Sequence, residues 1–247
     1  MIVLAMDTST STMALALDLG EGVILSSAGD PAQRHGRGLV PAIRDLLRSA
    51  GLRPADLDAL AVGLGPGSYT GLRVGLTAAK VLAFAFGRPL VGLDSLEAIA
   101  RNAPPDALRV AVVADAQRGD LYAANFSRER AGEPLRRNSP TRIEPAPQWA
   151  AGLEGPGPIT AIGPGLARLA VALPVAVRVA QSIEAQPRGD ILAAMAREAL
   201  DAGRRDDPWF LEPHYLRRSA AEDQWDARGT TTKGTDSPRQ FSETPPA

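Results

Sequence analysis

The chain of 247 residues has no cysteine, only two histidines and only 4% aromatic residues. Without cysteine it can form no disulfide, no thiolate metal site and no cysteine nucleophile. Two histidines, His35 and His214, are too few for a conventional zinc site, so we expect no metal centre and no catalytic set of that kind. The lack of disulfides is compatible with a reducing cytosol, and the predicted location is the cytoplasm.

The sequence also has no excess of charge and no long hydrophobic run. Its 27 basic and 28 acidic residues give a net charge of −1. Proteins that bind nucleic acid by themselves usually carry a basic domain or stripe, so RNA binding would require a partner or a local patch. No apolar run reaches the ~20 residues that span a bilayer, and the opening MIVLAMD does not resemble a signal peptide. We therefore expect no membrane contact, and a globular chain of one large or two small domains.

The most informative feature that is present is a glycine-rich turn between a short strand and an apolar helix. Five glycines lie between residues 63 and 75, after an apolar run over residues 59–64 that predicts a buried strand. The helix predicted over residues 72–86 has only three polar side chains, Arg73, Thr77 and Lys80, which form one narrow stripe. Ordinary surface helices are apolar on one face only. We therefore expect this helix to be covered on most sides, either by its own chain or by another subunit.

The opening residues predict a hairpin whose turn is rich in hydroxyl groups. Between the apolar runs at residues 2–6 and 13–19 the turn contains Asp7, Thr8, Ser9 and Thr10. These side chains either satisfy the amides of the turn or hold phosphate oxygens, with the carboxylate binding Mg²⁺ through water. The same outline returns later, where a predicted strand ends in Asp115 and a second strand follows. Two such units suggest two domains of related plan around a cleft.

The dipeptide at Pro104 and Pro105 is the predicted domain boundary. The expected organisation is an N-terminal domain over residues 1–104, a smaller domain over residues 105–225 and a disordered tail over residues 226–247. A further amphipathic helix is predicted to begin at Leu39. Its apolar face carries Leu39, Ile43, Leu46 and Leu47.

The glycine turn also admits a rival reading as a dinucleotide site. It has glycines at 65, 67 and 71, and the next predicted strand ends in Asp94 at a suitable distance for a ribose ligand. Against this interpretation, three strands precede the turn, whereas the dinucleotide fingerprint normally opens its fold. The Walker loop and the nucleophile elbow are both absent. Ser68 or Thr70 is the expected cap of the helix, which leaves a structural turn built from Gly65, Gly67, Ser68, Thr70 and Gly71.

Four segments together resemble the bacterial TsaB (YeaZ) family. In chain order they are IVLAMDTS at residues 2–9, GPGSYTGLRVG at 65–75, DAQRGDLY at 115–122 and PHYLR at 213–217. The resemblance spans about residues 1 to 220, and the glycine turn with its helix is its most specific part. It implies the duplicated α/β fold shared by actin and sugar kinases, with two related domains around a cleft and mixed sheets covered by helices.

The resemblance also implies a function. TsaB-like proteins are the dimerisation subunit of the complex that makes threonylcarbamoyladenosine in tRNAs reading codons that begin with A, and the paralogue TsaD is the catalytic subunit. TsaD carries a metal-binding His-x3-His, whereas this chain has His35 followed by Leu39, which favours a non-catalytic role. The implied partners are a TsaD-like paralogue, a TsaE-like ATPase through the complex, and a second copy of the chain when TsaD is absent. Contact with tRNA would occur only through the complex.

Site residues follow from the same resemblance, which places two helices of each partner in a four-helix bundle. The implied partner-interface residues are Leu39, Ile43, Leu46, Leu47, Leu72, Leu76, Ala79 and Ala83. Candidate nucleotide-binding positions are Asp7, Thr8, Ser9, Thr10, Asp115, Gly119, Gly163 and Gly165. No cofactor is required by this chain, and ATP or ADP with Mg²⁺ would lie at or near the interface of the complex. The alternative is a nucleotide- or dinucleotide-binding enzyme that uses the turn at residues 63–71 and a cleft between Asp7 and Asp115.

Overall fold

The computed structural model describes residues 1–28, 35–154, 157–180 and 185–217, without the side chain of His35. The predicted tail at residues 226–247 lies outside the described residues. Within these ranges the chain forms two β-sheets and five α-helices. None of the helices in the described part of the chain has the length and apolar content needed to cross a bilayer.

The first sheet has five strands, and its plan is a three-stranded meander followed by two parallel strands. The strands are β1 (Val3–Asp7), β2 (Ala14–Asp18), β3 (Ile24–Ala28), β4 (Ala59–Gly63) and β5 (Leu90–Leu93), in the spatial order β3-β2-β1-β4-β5. β1 and β2 are antiparallel, as are β2 and β3, whereas β4 and β5 run parallel to β1. Because helices cover both faces, β1, β2, β4 and β5 are buried along their whole length.

The second sheet repeats this plan. Its strands are β6 (Arg109–Asp115), β7 (Asp120–Ser127), β8 (Arg136–Arg137), β9 (Arg142–Pro145), β10 (Ile159–Ile162) and β11 (Val177–Val179). β6 is antiparallel to β7, which pairs with both β8 and β9, and β10 and β11 run parallel to β6. The order β8-β7-β6-β10-β11 matches β3-β2-β1-β4-β5 strand for strand. The predicted duplicated α/β fold is therefore confirmed.

Five helices surround the sheets: α1 (His35–Ser49), α2 (Tyr69–Phe86), α3 (Ser95–Ala100), α4 (Ala146–Ala151) and α5 (Gly189–Asp201). α1 begins four residues before the predicted start at Leu39, and Pro41 lies inside it within the first two turns. α2 begins three residues before the predicted start because Ser68 caps it, accepting a hydrogen bond from the amide of Gly71. Gly87, in the left-handed conformation, ends α2.

The layers are held together by four apolar clusters, one on each face of each sheet. On the first sheet, Leu4 and Met6 of β1 pack under α1 and α2, whereas Val3 and Ala5 face α5. This split follows from the two-residue period of a strand. The larger side chains lie on the side of the two longest helices, and alanines on the other side let α5 pack closely.

The two halves are joined by an exchange of helices. α3 follows the first sheet in sequence, yet its Leu96 and Ile99 pack in the core of the second sheet. α5 follows the second sheet, and its Leu192 and Met195 pack on the first sheet. Through these contacts Met1–Leu216 form one compact unit. The predicted domain boundaries, 1–104 and 105–225, stay a prediction, because α3 already packs in the core of the second sheet before residue 104.

Candidate functional site

The glycine turn before α2 lies directly on the hydroxyl-rich turn between β1 and β2. The amide of Ser68 donates to the carbonyl oxygen of Ser9 at 2.7 Å, and the hydroxyl of Thr8 donates to the carbonyl oxygen of Gly71 at 2.7 Å. A Cβ at Gly67 would overlap the Ser9 carbonyl, and one at Gly71 would overlap the Thr8 carbonyl. Gly75 extends this contact, because a Cβ there would overlap the Thr8 hydroxyl. The glycines thus permit the two turns to touch backbone to backbone.

Asp7 is the most buried charged residue at this junction. Its Oδ1 accepts a hydrogen bond from the amide of Ser9 at 2.7 Å, and its Oδ2 accepts one from the hydroxyl of Ser95 at 2.6 Å. A Cβ at Gly63 would overlap the same Oδ2 atom, so β4 also closes over the carboxyl group. Burial raises the pKa of Asp7 above its ordinary value, although the hydrogen bonds from Ser9 and Ser95 oppose this shift.

These contacts determine which polar groups of the first predicted phosphate loop are available to a ligand. Asp7, Thr8, Ser9 and Thr10 are all buried, and the hydroxyl of Thr10 donates to the carbonyl oxygen of Thr12. Both oxygens of Asp7 and the hydroxyl of Thr8 are engaged inside the protein. A phosphate or a hydrated Mg²⁺ ion would reach these groups only after the glycine turn had moved. Their present arrangement joins α2 to the first sheet.

The second predicted loop is more open. Asp115 accepts a hydrogen bond from the amide of Gln117 and forms an ion pair with Arg168 at 3.1 Å. Gly119 is exposed and has a φ of 85°. The other two candidates, Gly163 and Gly165, are buried against β6, where a Cβ at Gly163 would overlap the carbonyl oxygen of Val113. The ion pair therefore brings the Asp115 loop to the short 3₁₀ helix at Pro164–Arg168.

The eight residues predicted to face a partner lie inside the chain. All are buried, and seven belong to the apolar cluster between α1, α2 and the first sheet: Leu39, Ile43, Leu46, Leu47, Leu76, Ala79 and Ala83. Leu72 is buried as well, under the glycine turn, where its side chain lies against Gly65. Their periodicity marks the core face of each helix, so a partner would have to contact the opposite faces.

Those opposite faces expose large apolar side chains that periodicity alone did not single out. Val40 of α1 is 69% exposed, Val81 of α2 is 59% exposed and Phe84 of α2 is 79% exposed. Val81 and Phe84 continue the exposed positions of Arg73 and Thr77 at helical spacing. We call these four residues the outer face of α2. The sequence signal was present, because α2 has more apolar residues than one buried face can use.

The C-terminal segment, residues 206–216, crosses from the edge of the first sheet to the start of α2. The amide of Asp206 donates a hydrogen bond to the carbonyl oxygen of Leu90 in β5, and the Asp206 carboxylate accepts one from the amide of Gly92 at 2.7 Å. Leu211 packs against the core of the first sheet. Further on, the hydroxyl of Tyr215 accepts a hydrogen bond from Arg73 at 3.0 Å. The segment therefore borders the outer face of α2.

A pocket of about 850 Å³ lies on the other side of this segment, between α3, α5 and β5. Its ionic groups are mostly paired with each other. Arg101 binds Glu97 and Glu198, and Asp94 binds Arg137 from the second sheet at 2.7 Å. Among the described residues, no three histidine, aspartate or glutamate side chains converge as a metal site would require.

Comparisons with known proteins find similarity to two related groups, TsaD and TsaB (YeaZ). The family model of tRNA N6-adenosine threonylcarbamoyltransferase (TsaD) matches residues 21–137. The chain is 36% identical to the tRNA threonylcarbamoyladenosine biosynthesis protein TsaB of Bacillus subtilis, over 51% of this chain and 55% of that protein. It is 34% identical to TsaB of Escherichia coli, over 53% of this chain and 58% of that protein. The aligned part thus spans little more than half of these relatives. The solved structure of YeaZ from Pseudomonas aeruginosa superposes with a TM-score of 0.73 at 29% identity, over 87% of this chain and 99% of that one.

Proposed function

The chain belongs to the TsaB (YeaZ) family, and we propose that it is a non-catalytic subunit in the biosynthesis of threonylcarbamoyladenosine in tRNA. In this proposal it pairs with a TsaD-like transferase, which carries out the transfer of the threonylcarbamoyl group to the adenosine beside the anticodon. The outer face of α2, together with the exposed face of α1, is the surface that the transferase covers.

The observation that carries the proposal is the exposed apolar surface on the two longest helices. Val40, Val81 and Phe84 are each more than half exposed, although each belongs to a helix whose opposite face is fully packed. Large apolar side chains that are exposed on the surface can mark a site for another protein. A helix face also suits this use because the backbone needs no ordering when the partner binds.

The comparison with TsaD supports pairing through these helices. The matched residues, 21–137, include α1 and α2 completely. A TsaD-like partner should therefore carry the same two helices in the same order. Two related chains that use like helices form a pseudo-symmetric interface, in which each helix meets its counterpart.

The interior of the junction favours a scaffold over a nucleotide-dependent enzyme. In the enzyme alternative, the turn at residues 63–71 and Asp7 would hold phosphates. In the structure the turn instead donates a hydrogen bond to the carbonyl oxygen of Ser9 and accepts one from the hydroxyl of Thr8. It also encloses the Asp7 carboxyl group. We expect ATP or ADP with Mg²⁺, and a TsaE-like ATPase, to act at the complex rather than on this chain alone, and tRNA to be contacted through the complex.

The test is light scattering after size exclusion, on the full chain alone and mixed with the TsaD-like transferase of the same organism. The expected result is a one-to-one complex in the mixture. Threonylcarbamoyl transfer to tRNA is then measured with the transferase alone, with this chain alone and with both. Transfer by this chain alone, or the absence of any complex, would refute the proposal.

A further inference from the structure

The aromatic pair formed by Phe84 and Trp209 extends the outer face of α2 onto the C-terminal segment. The ring centroids lie 6.3 Å apart and the rings meet edge to face at 75°. Both residues are 79% exposed. Two large rings that contact each other in solvent form one exposed apolar projection.

We propose that this pair is the main anchor for the partner, and that the partner offers an acidic and apolar face to it. The inference rests on the proposed function, because the partner is the same TsaD-like transferase. It adds the C-terminal segment, a third element, to the two helices. It also assigns a chemical character to the partner's face.

The area needed for a stable complex supports this role. A standard interface buries about 800 Å² on each partner. A Phe or Trp side chain buries about 150–250 Å², so two rings at 79% exposure have roughly 240–400 Å² left to bury. The exposed valines of α1 and α2 are much smaller. The aromatic pair therefore supplies up to half of the required area, and Trp is one of the residue types enriched among the hot spots near the centre of such surfaces.

The charge on the helices selects a partner of opposite charge rather than a second copy of this chain. α1 and α2 carry five basic residues and one acidic residue, namely Arg37, Arg44, Arg48, Arg73, Lys80 and Asp45. The arginines are exposed, Arg44 forms an ion pair with Asp45, and the C-terminal segment adds the exposed acids Asp207 and Glu212 at the border of this surface. Two copies that met through these faces would bring like charges together, which costs binding energy. An acidic face on the transferase would be attracted instead.

Phe210 provides a matched control for Trp209, because the two neighbouring rings have different surroundings. Phe210 follows Trp209 directly and is 82% exposed, but it lines the pocket beside α5. Trp209 and Phe210 are thus adjacent aromatic residues of nearly equal exposure, 79% and 82%, and only the Trp209 ring contacts Phe84 in the described structure. If exposure alone mattered, both rings would contribute equally to binding.

The experiment measures the affinity of the full chain for the transferase by titration calorimetry, with the variants Trp209→Ala and Phe210→Ala. We expect Trp209→Ala to weaken binding by about 30-fold or more, as hot-spot truncations do, and Phe210→Ala to change it less than about 3-fold. Thermal unfolding should be the same for both variants because neither ring is buried. Equal effects of the two variants, or no effect of either, would overturn the inference.

A second readout locates the contact directly. In a Trp225→Phe background the remaining tryptophans are Trp149, which is buried, and Trp209. Acrylamide should quench Trp209 fluorescence in the free chain and much less in the complex, and added salt should weaken the complex. Protection that rises with the concentration of this chain alone would identify a second copy as the occupant and overturn the inference. A complex that forms with unprotected Trp209 would refute the anchor while the proposed function stands.

Discussion

Asp7 at the end of β1 and Ser95 at the start of α3 are joined by a hydrogen bond of 2.6 Å, although 88 residues separate them in sequence. The same Ser95 hydroxyl accepts a hydrogen bond from the amide of Gly65 at 3.0 Å. Three parts of the first half, namely β1, the glycine turn and α3, thus meet at one buried hydroxyl group. The candidate phosphate-binding residue Asp7 is therefore joined to the glycine turn and to α3 through this hydroxyl group.

The pH dependence of stability should report on Asp7. Because burial raises its folded pKa above the unfolded value, the folded chain binds more protons between the two values. The contribution of Asp7 to the free energy of unfolding is therefore full at low pH and falls as pH rises through the folded pKa. The Asp7→Asn variant has no titratable group at this position, so it does not show this loss of stability. We expect its stability relative to the parent chain to improve from about pH 4 upward, measured by urea unfolding at several pH values. A difference that stays constant with pH would contradict this prediction.

Substitution in the glycine turn should be costly because the neighbouring atoms are backbone. Gly71→Ala would place its Cβ against the carbonyl oxygen of Thr8, and the helix start would have to move. We expect a loss of about 2–3 kcal/mol in the free energy of unfolding. Gly36→Ala in α1 is the control, since its Cβ would make only an ordinary contact with Val74 at 3.9 Å. That variant should be neutral or gain up to about 1 kcal/mol from helix propensity. Equal losses would show that the contact between the turns is unimportant.

The ion pair between α5 and the first sheet should stabilise the fold more than the exposed ion pair at the start of the same helix. Arg197 donates to Asp18 at 2.8 Å, and Asp18 is nearly buried. Burial acts to raise the pKa of Asp18, but the hydrogen bonds from Arg197 and Gly20 outweigh it and the pKa is lowered. The pair therefore contributes stability above the ordinary carboxyl pKa, and this contribution is lost as pH falls through the folded value.

Replacing Arg197 with alanine should reduce the free energy of unfolding at neutral pH by about 1–3 kcal/mol, because Asp18 would be left buried and unpaired. Part of the loss of stability toward acid pH should disappear with it. Arg188→Ala, which removes the exposed pair with Asp190 at the start of the same helix, is the control and should cost less than about 1 kcal/mol. Urea unfolding at neutral and acid pH measures both, and similar costs would argue against a special role for Arg197.

The partner surface can be tested with an acid on the outer face of α2. Val81→Asp should leave the fold intact because Val81 is exposed, and should weaken the complex with the transferase by about 100-fold or more, since a charge would be buried against an acidic partner. Val175→Asp, at a fully exposed valine of the second half, should not change the affinity. A charge at Leu76, which is buried in the core, would unfold the chain and would not test the surface. Undiminished binding by folded Val81→Asp would exclude this face.

Nucleotide binding by the isolated chain should be weak because Asp7, Thr8, Ser9 and Thr10 are buried beneath the glycine turn. Titration calorimetry with ATP and Mg²⁺ should give no saturable heat in the micromolar range with this chain alone. The same titration on the complex is the comparison. Micromolar affinity of the isolated chain would mean that the turn opens, and would return attention to the enzyme alternative.

Local patterns in the sequence were sufficient to predict most of the fold. Apolar runs that end in Asp7 and Asp115 predicted the paired strands of both halves, and the glycine turn predicted that a helix follows it, although α2 begins three residues earlier than expected. The short edge strands β8, β9 and β11, and the helix α4, were missed because their segments contain proline and arginine and bury few residues. Such strands form because β7 and β10 provide an edge to pair with, which no local pattern encodes.

The sequence by itself determined that α2 carries more apolar surface than one buried face can use, because that is a matter of composition and periodicity. It could not determine which face is outside. Leu39 and Leu76 have the spacing of an interface as well as that of a core, and only the sheet beneath them decides between the two. The contacts of Asp7 with Ser95 and of Phe84 with Trp209 likewise depend on the tertiary structure, since each joins residues that lie far apart in the chain.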